Sequence, residues 1–351
     1  MTVINGIEIG MIKYIPNKIN EAIKQNKMIC NKLHVIIVIS NPCKYFRRYI
    51  LALEFIKRIK KENSKHIELY VVELEYENYI DISNNIREPK FEVTQPDEIG
   101  NIKHLQIICP NSNPIWHKEN MINMGVKHLL PDNWKAMAWI DADVEFDNIH
   151  WAEDCLKILG SGNYDMVQLF SNAMDLDQNN DIMQIFTSFG YQYTHQKKYK
   201  PSNVNNYWHP GFAWACTRNA YEKMGGLFDL GILGSGDNHM ALAFIGKSEY
   251  SLSPTMSKGY NDAVKEYESR ILDNNLKLGY VPGIIKHYFH GTKKNRKYME
   301  RRIILITHEF DPLIHLMKDE SGLLLPTPVC PQALLDDIKQ YFIERNEDEF
   351  Y

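Results

Sequence analysis

Four short apolar runs divide the first half of the chain. Residues 33–40, 67–74, 105–109 and 136–140 predict strands, and the unbroken β-branched character of the first run is typical of a strand buried on both faces. Helical spacing of apolar residues predicts one helix after the first strand and one after the third, on two stripes: Phe46, Ile50, Leu53 and Ile56; Ile115, Ile122, Val126 and Leu129. This order of elements predicts half of a doubly wound α/β sheet with right-handed crossovers.

The rest of the chain carries weaker patterns. Residues 1–31 predict an extension or cap, and residues 77–101 predict a polar, mobile surface loop. A helix at 151–159 and a strand at 165–170 are expected to extend the sheet. The later predicted elements are a helix that starts at 240–244, a helix at 259–279 with Tyr260, Val264, Tyr267, Ile271 and Leu278 on its stripe, a strand at 280–288 and a helix at 333–342.

The composition is that of an ordinary globular protein. The 351 residues are 44% hydrophobic and 24% charged, which argues against wholesale disorder, and the net charge of −4 predicts no general nucleic-acid surface. None of the six cysteines belongs to a Cys-x-x-Cys pair, so buried free thiols in a reducing compartment are expected. No signal-peptide pattern opens the chain and no apolar run reaches membrane-spanning length, so we predict a cytoplasmic protein, in the host cytoplasm if the chain is viral.

The strongest chemical signal is the segment Asp141-Ala142-Asp143 at the end of the fourth apolar run. On an extended strand, residues two apart point to the same side, so both carboxylates would aim at one spot. Paired carboxylates repel each other, and Mg²⁺ or Mn²⁺ relieves that repulsion and completes its shell with substrate phosphates. The segment predicts a metal–diphosphate site at the carboxyl edge of the sheet. Solvated carboxylates at a strand end are the alternative.

Further segments resemble the GT-A glycosyltransferases, over residues 33–300. Residues 211–214, 225–229 and 234–237 resemble the acceptor and base segment of β-1,4-galactosyltransferases, polypeptide N-acetylgalactosaminyltransferases and related family 2-like enzymes of bacteria, phages and giant viruses. Residues 285–295 resemble the segment that carries the metal-binding histidine in those enzymes. One departure is that Gly-Ser-Gly-Asp stands here where those enzymes have Gly-Gly-Glu-Asp, so one carboxylate is missing.

The resemblance implies a GT-A fold, with a mixed and mainly parallel sheet flanked by helices. It implies a nucleotide-sugar-binding half at 32–150, an acceptor-binding and catalytic half at 151–297 and a helical tail at 298–351. The implied activity is that of a Mn²⁺- or Mg²⁺-dependent hexosyltransferase. It would move a sugar from a nucleotide diphosphate donor, by default a UDP-sugar, to a glycan or other hydroxyl acceptor, with inversion. The donor sugar, the acceptor, the linkage and the oligomeric state stay open.

The resemblance also implies roles in a metal site. Asp143 is expected to be the main metal ligand, and Asp141, the other candidate acidic ligand, would lie beside the ribose or a water outside the inner coordination sphere. His287 or His290 would supply the third ligand. Because they stand three residues apart on a strand end, we expect them to point to opposite sides, so that only one binds. The alignment favours His287, whereas the glycine and basic loop that follow slightly favour His290.

Asp237 is the candidate general base. It follows two glycines, so backbone can approach an acceptor closely, and it precedes a predicted helix at 238–245. The alternative is that Asp237 only caps that helix. The other candidate acceptor-binding residues are Gly211, His239, which is also a weaker candidate base, and two tryptophans whose rings either stack on sugar faces or pack in the core, Trp208 and Trp214.

A further group of residues is expected to frame the nucleotide. They lie at the ends of the first two strands and on the helix before the metal strand: Ser40, Glu73 with Glu75 as its rival, Lys118 and Asn123. For Lys118, a solvated helix face is the alternative. Lys293 and Arg296 are expected to clamp the diphosphate when a loop closes and excludes water.

Three other functions compete with this interpretation of the sequence. A haloacid-dehalogenase-type phosphatase would have Thr where this chain has Glu145, and its motif would lie near the domain start. A sugar nucleotidyltransferase would have a glycine-rich basic loop after the first strand, unlike Ser40-Asn41-Pro42-Cys43. A non-catalytic sugar- or nucleotide-binding module stays open, because a protein can keep a fold after it has lost the catalytic activity.

Overall fold

The computed structural model describes residues 2–4, 7–9, 17–62, 64–77, 79–80, 86–87, 89–199, 208–298 and 300–349, so parts of the predicted extension, loop and tail lie outside the described residues. The strands there are β1 (Thr2–Ile4), β2 (Ile7–Ile9), β3 (Leu33–Ser40), β4 (Ile67–Tyr76), β5 (Tyr79–Ile80), β6 (Ile86–Arg87), β7 (Lys103–Cys109), β8 (Ala136–Ile140), β9 (Val144–Phe146), β10 (Met166–Gln168), β11 (Asn172–Leu176), β12 (Ile182–Ser188), β13 (Trp208–His209), β14 (Ala213–Thr217), β15 (Leu278–Tyr280), β16 (Ile284–His287), β17 (Leu316–Lys318) and β18 (Leu324–Pro326). The helices are α1 (Asn17–Gln25), α2 (Phe46–Glu62), α3 (Pro96–Ile99), α4 (Lys118–Leu129), α5 (Trp151–Gly160), α6 (Phe189–Thr194), α7 (Arg218–Met224), α8 (Gly236–Phe244), α9 (Lys258–Asp273), α10 (Arg301–Thr307), α11 (Pro312–His315) and α12 (Gln332–Glu344), and a 3₁₀ helix covers Ser248–Ser251.

A seven-stranded sheet forms the centre of the fold, in the order β15-β10-β14-β8-β3-β4-β7. Strand β3 pairs in parallel with β4 and β8, and β4 pairs in parallel with β7. Strand β14 is antiparallel to both of its neighbours, β8 and β10, and β10 is parallel to β15. The sheet is therefore mixed and mainly parallel, which confirms the predicted α/β class. Winding reverses between β3 and β8, and ligands bind at such switch points.

A second sheet begins where β8 ends. It has five strands in the order β13-β12-β11-β16-β9. The chain leaves β8 at Ile140 and enters β9 at Val144, where it pairs antiparallel with β16. Strand β16 is in turn parallel to β11. This crossing from one sheet to the other brings β11 and β16 to the edge where the predicted metal turn lies.

Alternate side chains of the central strands pack into two apolar clusters. Val35 and Ile37 of β3 lie in one cluster with Phe55 of α2, and Ile36 lies in the other with Met121 of α4. This is the arrangement that period-two alternation produces when helices cover both faces of a sheet. In the part of the chain that the structure describes, no helix combines the length and apolar character that crossing a bilayer requires.

Some predicted elements differ in detail. The buried face of α2 consists of Tyr49, Ala52, Phe55, Ile56 and Ile59, so the predicted stripe is wrong at its start. Phe46 is 55% exposed, because the helix begins there and the Asp348 carboxylate accepts hydrogen bonds from the backbone N–H groups of Phe46 and Arg47. Part of the predicted extension belongs to the core, since Ile19 and Ala22 of α1 are buried.

The predicted helix at 259–279 ends earlier, at Asp273, and Leu278 begins β15 instead. The predicted strand at 280–288 is two strands, β15 and β16, which belong to different sheets. Pro282 lies between them, and a proline has no N–H with which to continue a ladder of hydrogen bonds.

Glu73 anchors the loop that the sequence predicts to be mobile. Its buried carboxylate accepts hydrogen bonds from the backbone N–H groups of Glu92, Val93 and Thr94 and from the Thr94 hydroxyl, at 2.7–3.2 Å. Both carboxylate oxygens are used within the protein, so the prediction that Glu73 meets a nucleotide is wrong. Its rival Glu75 is also buried and pairs with Lys44 and the Tyr49 hydroxyl.

We predict that Glu73→Gln destabilises the fold. The glutamine amide has an N–H₂ group in place of one acceptor oxygen, so backbone N–H groups that now bind Glu73 would face a donor. We expect the free energy of unfolding to fall by about 2 kcal/mol. Urea unfolding followed by circular dichroism measures it. The control is Glu68→Gln on the same strand, where a half-exposed carboxylate pairs with Lys103 and the change should stay within about 0.5 kcal/mol. Equal losses in the two variants would contradict the anchoring role.

Candidate metal centre and acceptor cavity

The two aspartates of the predicted metal segment lie in a turn. The backbone N–H of Val144 donates to the Asp141 carbonyl at 3.3 Å, and the N–H of Asp141 donates to the Phe212 carbonyl at 2.8 Å. The prediction that both carboxylates point the same way along an extended strand is therefore wrong. Asp141 forms an ion pair with Lys118, whereas Asp143 faces the two histidines.

Asp143, His287 and His290 form one compact group of candidate metal ligands. The Oδ2 atom of Asp143 lies 3.0 Å from Nε2 of His290 and 3.8 Å from Nε2 of His287. The two Nε2 atoms are 3.3 Å apart. The prediction that the histidines point to opposite sides is wrong, because β16 ends at His287 and strand alternation ends with it.

Asp175 holds His287 from behind. Its Oδ1 atom lies 2.6 Å from Nδ1 of His287, and its Oδ2 atom lies 2.5 Å from the Lys293 ammonium. Burial would raise the pKa of Asp175, but the hydrogen bond to His287 and the Lys293 charge outweigh it and lower the pKa to about 2. An ionised carboxylate on Nδ1 keeps the proton there and leaves Nε2 free to bind a cation, the usual support of a ligating histidine.

The site fits a divalent cation by its donor set. Among the described residues, no hydrogen bond reaches the buried Oδ1 atom of Asp143. Burial would raise the pKa of Asp143, but His290 and His287 outweigh burial and lower it, which keeps the carboxylate ionised. One carboxylate with two imidazoles suits Mn²⁺ better than Mg²⁺. Arg296 donates to Nε2 of His290 at 2.7 Å, so it would have to move when that nitrogen binds a cation.

The C-terminal segment closes this site from one side. The buried Glu347 carboxylate pairs with Arg48 and Arg345, each at 2.7 Å, and one of its oxygens lies 3.7 Å from Nδ1 of His290. Burial would raise the pKa of Glu347, but the two guanidinium groups lower it well below its usual range. The segment thus contributes a fixed negative charge beside one of the two candidate histidine ligands.

Phe212 joins the metal group to a second cavity. Its φ of +79° is in the left-handed region, which is strained for a non-glycine residue and is common at functional sites. The ring stacks on His209, with centroids 4.0 Å apart, and lies 4.5 Å from the His287 ring. Phe212 also lines a cavity, together with Lys118, Glu119, Trp139, Trp214, Leu227, Phe228, Gly236, Asp237 and Met240.

Asp237 belongs to that cavity and is not the cap of its helix. Ser235 precedes α8 as the cap residue, and Asp237 is the second residue of the helix. Its Oδ1 atom accepts a hydrogen bond from the backbone N–H of Asn238 at 2.7 Å. A Cβ atom placed on Gly211 would lie 2.9 Å from Oδ2 of Asp237, so glycine is required at 211 for the carboxylate to lie there.

Lys118 connects the turn after β8 with this cavity. Burial would lower the pKa of its ammonium, but Asp141 and Glu119 outweigh burial and raise it, with a smaller contribution from Asp237. The alternative of a solvated helix face is wrong for Lys118. Burial also raises the pKa of Asp141, against the opposing effect of Lys118.

Two predicted site residues, Asn123 and His239, form hydrogen bonds elsewhere in the protein. The side-chain amide of Asn123 binds the backbone N–H and carbonyl of Leu227 and the Tyr221 hydroxyl, so it fixes the turn before α8. Both ring nitrogens of His239 are bonded, to the Ser251 and Tyr260 hydroxyls, and burial lowers the pKa of His239 to about 3. The predictions of nucleotide contact by Asn123 and acceptor contact by His239 are wrong.

The two tryptophans differ in position, and Ser40 lies at the end of its strand as predicted. Trp208 is buried against Phe189 and Tyr199 and is not among the residues that line the cavity, so the stacking prediction is wrong for it. Trp214 lines the cavity, with its indole N–H bonded to the Pro210 carbonyl at 2.8 Å. Ser40 is half-buried at the end of β3, where its carbonyl accepts from Arg48.

Four residues that no sequence pattern predicts also lie at these sites: Asp175, Glu347, Arg48 and Glu119. None of them belongs to a motif with a recognisable spacing. The only local signal is an acid inside a short strand whose other residues are uncharged, and it applies to Asp175 alone.

We predict that Asp175→Asn weakens Mn²⁺ binding about 10- to 100-fold, because loss of a carboxylate behind a ligating histidine lowers metal affinity by that factor. Isothermal titration of the protein with Mn²⁺ measures it. The control is Asp181→Asn, an exposed residue next to β12 whose change should leave Mn²⁺ binding unaltered. Wild-type affinity in Asp175→Asn would exclude the supporting role, and Asp143→Ala should abolish binding.

A second prediction concerns Glu119. Burial raises the pKa of Glu119 from 4.5 to about 7 against the opposing charge of Lys118, so the folded chain keeps a proton that the unfolded chain releases. The free energy of unfolding should therefore fall as the pH rises from about 4.5 to about 7, by up to about 3 kcal/mol from this group. Urea unfolding of wild type and Glu119→Gln at pH 5 and pH 8 isolates the effect as a difference.

The exposed control Glu54→Gln should follow the wild-type curve at both pH values. If the difference between wild type and Glu119→Gln were the same at pH 5 and pH 8, the raised pKa would be refuted.

Comparison with known proteins gives distant structural likenesses. No protein-family model and no curated protein matches the chain. The catalytic domain of Drosophila beta1,4-galactosyltransferase 7 in complex with xylobiose is 12% identical, with 85% of this chain and 95% of that chain covered and a TM-score of 0.33. A mannosyltransferase from Pyrobaculum calidifontis, solved with GDP-Man and Mn²⁺, is 12% identical over 93% of this chain and 79% of its own, with a TM-score of 0.40.

A third structure is 4-diphosphocytidyl-2C-methyl-D-erythritol synthase from Anaerococcus prevotii. It is 10% identical over 72% of this chain and 87% of its own, with a TM-score of 0.32. At TM-scores this low the likenesses carry no argument about the site, and its chemistry has to be inferred from its own residues.

Proposed function

We propose that the chain is a metal-dependent glycosyltransferase that moves a sugar from a nucleotide diphosphate donor to a hydroxyl acceptor. The observation that carries the proposal is the pairing of two features at one sheet edge. The ligand group of Asp143, His287 and His290 adjoins a cavity that contains a candidate base, Asp237, and Phe212 contacts both. A diphosphate-binding cation beside a carboxylate is the combination that glycosyl transfer to a hydroxyl requires.

In this proposal Asp143, His287 and His290 hold the cation. When bound, a divalent cation there would act as a Lewis acid that neutralises the charge of the departing nucleoside diphosphate. Arg296 now donates to His290, and Lys293 now pairs with Asp175. When the donor binds, both side chains would contact its phosphate oxygens instead. Asp141 stays paired with Lys118 next to the nucleotide rather than as a direct ligand.

The nucleotide is expected along the carboxyl edge of β3 and β8, where the sheet reverses its winding. Ser40 at the end of β3 and Lys118 are the predicted contacts that keep this role. A uridine nucleotide is our default from the resemblance alone. The predicted cytoplasmic location also remains a prediction.

Asp237 would act as the general base. The acceptor hydroxyl oxygen forms a bond to the anomeric carbon as the bond from that carbon to the diphosphate oxygen breaks. The electron pair of the broken bond leaves with the nucleoside diphosphate, and the hydroxyl proton passes to the Asp237 carboxylate. Attack on the face of the anomeric carbon opposite the departing diphosphate would invert that centre. The aromatic walls at Trp139, Phe212 and Trp214 offer apolar surface for a sugar face and exclude water.

We predict that Asp143→Ala and Asp237→Asn separate the two halves of this reaction. Asp143→Ala should abolish Mn²⁺-stimulated donor hydrolysis across a panel of UDP- and GDP-sugars. Asp237→Asn should keep Mn²⁺ and nucleotide affinity within about twofold while kcat for transfer to glycosides falls about 10²- to 10⁴-fold. Release of nucleoside diphosphate and calorimetry measure the two effects.

The control is Asp262→Asn, an exposed residue of α9 that pairs with Lys258 and should leave both readouts at wild-type values. Mn²⁺-dependent nucleotide binding without turnover of any donor would favour the non-catalytic binding module. Release of phosphate from phosphomonoesters, with no action on nucleotide sugars, would favour the phosphatase. A wild-type rate of transfer in Asp237→Asn would remove Asp237 as the base.

A further inference from the structure

Glu119 places a second carboxyl group in the cavity of Asp237. It lies in the first turn of α4, is only 8% exposed, and accepts a hydrogen bond from the Trp116 indole N–H at 3.1 Å. A Cβ atom placed on Gly236 would lie 2.6 Å from the carboxyl carbon of Glu119. The carboxyl therefore fills the space above Gly236, next to Asp237, and a side chain at 236 would displace it.

The charges around Glu119 give this carboxyl a particular state. Lys118 on its own helix, Asp141 from the turn after β8 and Asp237 from α8 act on it, and it acts in turn on the Tyr260 hydroxyl of α9. The Lys118 ammonium is thus the positive group that neutralises Asp141, Glu119 and Asp237 in a largely buried region. Because one positive charge cannot balance three negative ones, one of the three acids is favoured to keep its proton. Glu119 is the acid whose pKa lies near 7, so near neutrality it can donate a hydrogen bond as well as accept one.

We propose that Glu119 is an acceptor-binding residue, and that the acceptor carries two neighbouring hydroxyl groups, as a glycoside does, one held by Glu119 and the other by Asp237. The inference rests on the proposed function. The two carboxyl groups occupy the space that side chains at Gly236 and Gly211 would fill, and this holds both of them at the wall of one cavity. The aromatic side chains that line the same cavity offer an apolar surface to the face of a pyranose ring.

The test measures glycoside binding by tryptophan fluorescence, since Trp139 and Trp214 line the cavity. The probes are methyl pyranosides of xylose, glucose, galactose and mannose, with cyclohexanol as a single-hydroxyl control, in the presence of Mn²⁺ and nucleoside diphosphate. We expect wild type to bind at least one glycoside and not cyclohexanol. Glu119→Ala should weaken that binding at least tenfold, as one lost hydrogen bond predicts. The control Asp262→Asn, on the exposed face of α9, should leave both glycoside binding and Mn²⁺-dependent donor hydrolysis at wild-type values.

A rescue variant distinguishes binding from folding. Because the Glu119 carboxyl overlies the Cβ position of residue 236, Glu119→Ala combined with Gly236→Asp returns a carboxyl to nearly the same place from the other wall. We expect this double variant to recover glycoside affinity to within about threefold of wild type. Gly236→Asp alone, which places two carboxyls in one space, should lose affinity. Glu119→Gln, which can keep the Trp116 bond, should remove a change in affinity that wild type shows between pH 6 and pH 8.

The outcomes separate this inference from the proposed function. Donor hydrolysis by wild type together with unchanged glycoside affinity in Glu119→Ala, or with no binding of any methyl glycoside, would overturn the role of Glu119 and leave the transferase intact. If Glu119→Ala does not fold, a pH profile of Glu119→Gln identical to wild type overturns the role instead. A wild-type protein that neither binds nor hydrolyses any nucleotide sugar would refute the transferase and this inference with it.

Discussion

The partly buried carboxylate of Asp143 is the constraint on which the rest of this site depends. An ionised carboxylate taken out of water is tolerated only where donors or positive groups surround it. Here those groups come from His287 and His290, and behind them stand Asp175 and Glu347. The two histidines lie at or just beyond the end of β16, Asp175 lies on β11, and Glu347 lies in the C-terminal tail. The negative charge of Asp143 is therefore stabilised only when the second sheet and the tail both pack around the turn after β8.

The candidate metal ligands and the cavity are connected through residues that contact both. Phe212 adopts a strained backbone conformation, its carbonyl accepts the N–H of Asp141, and its ring lies between His209 and His287. Lys118 links the same two regions by charge, through Asp141 on one side and the acids of the cavity on the other. Strain persists only where neighbours hold it in place, and here they hold a residue that touches both proposed substrates' sites.

Local patterns located much of the fold because buried parallel strands have an unmistakable composition. The strands at 33–40 and 136–140 match their predicted bounds, and the turn after the second one holds the key aspartate. Patterns failed where neighbours in space decide the outcome. The stripe of α2 and the break between β15 and β16 depend on contacts with the C-terminal tail and on the change of sheet, which spacing within a helix or strand does not encode.

The sequence by itself determined the α/β class, the position of the acidic turn at a sheet edge, and the chemical types that meet there, carboxylates and imidazoles. Only the tertiary structure decided which of them meet. It turned Asp141 toward Lys118, brought both histidines to Asp143, and gave Glu73 a structural role. It also set Glu119 opposite Asp237, where no motif predicts it. The physical reason is that the direction of a side chain beyond the end of a strand depends on the conformation of the turn and on contacts with residues distant in the sequence. The spacing of residues along the chain specifies neither of these.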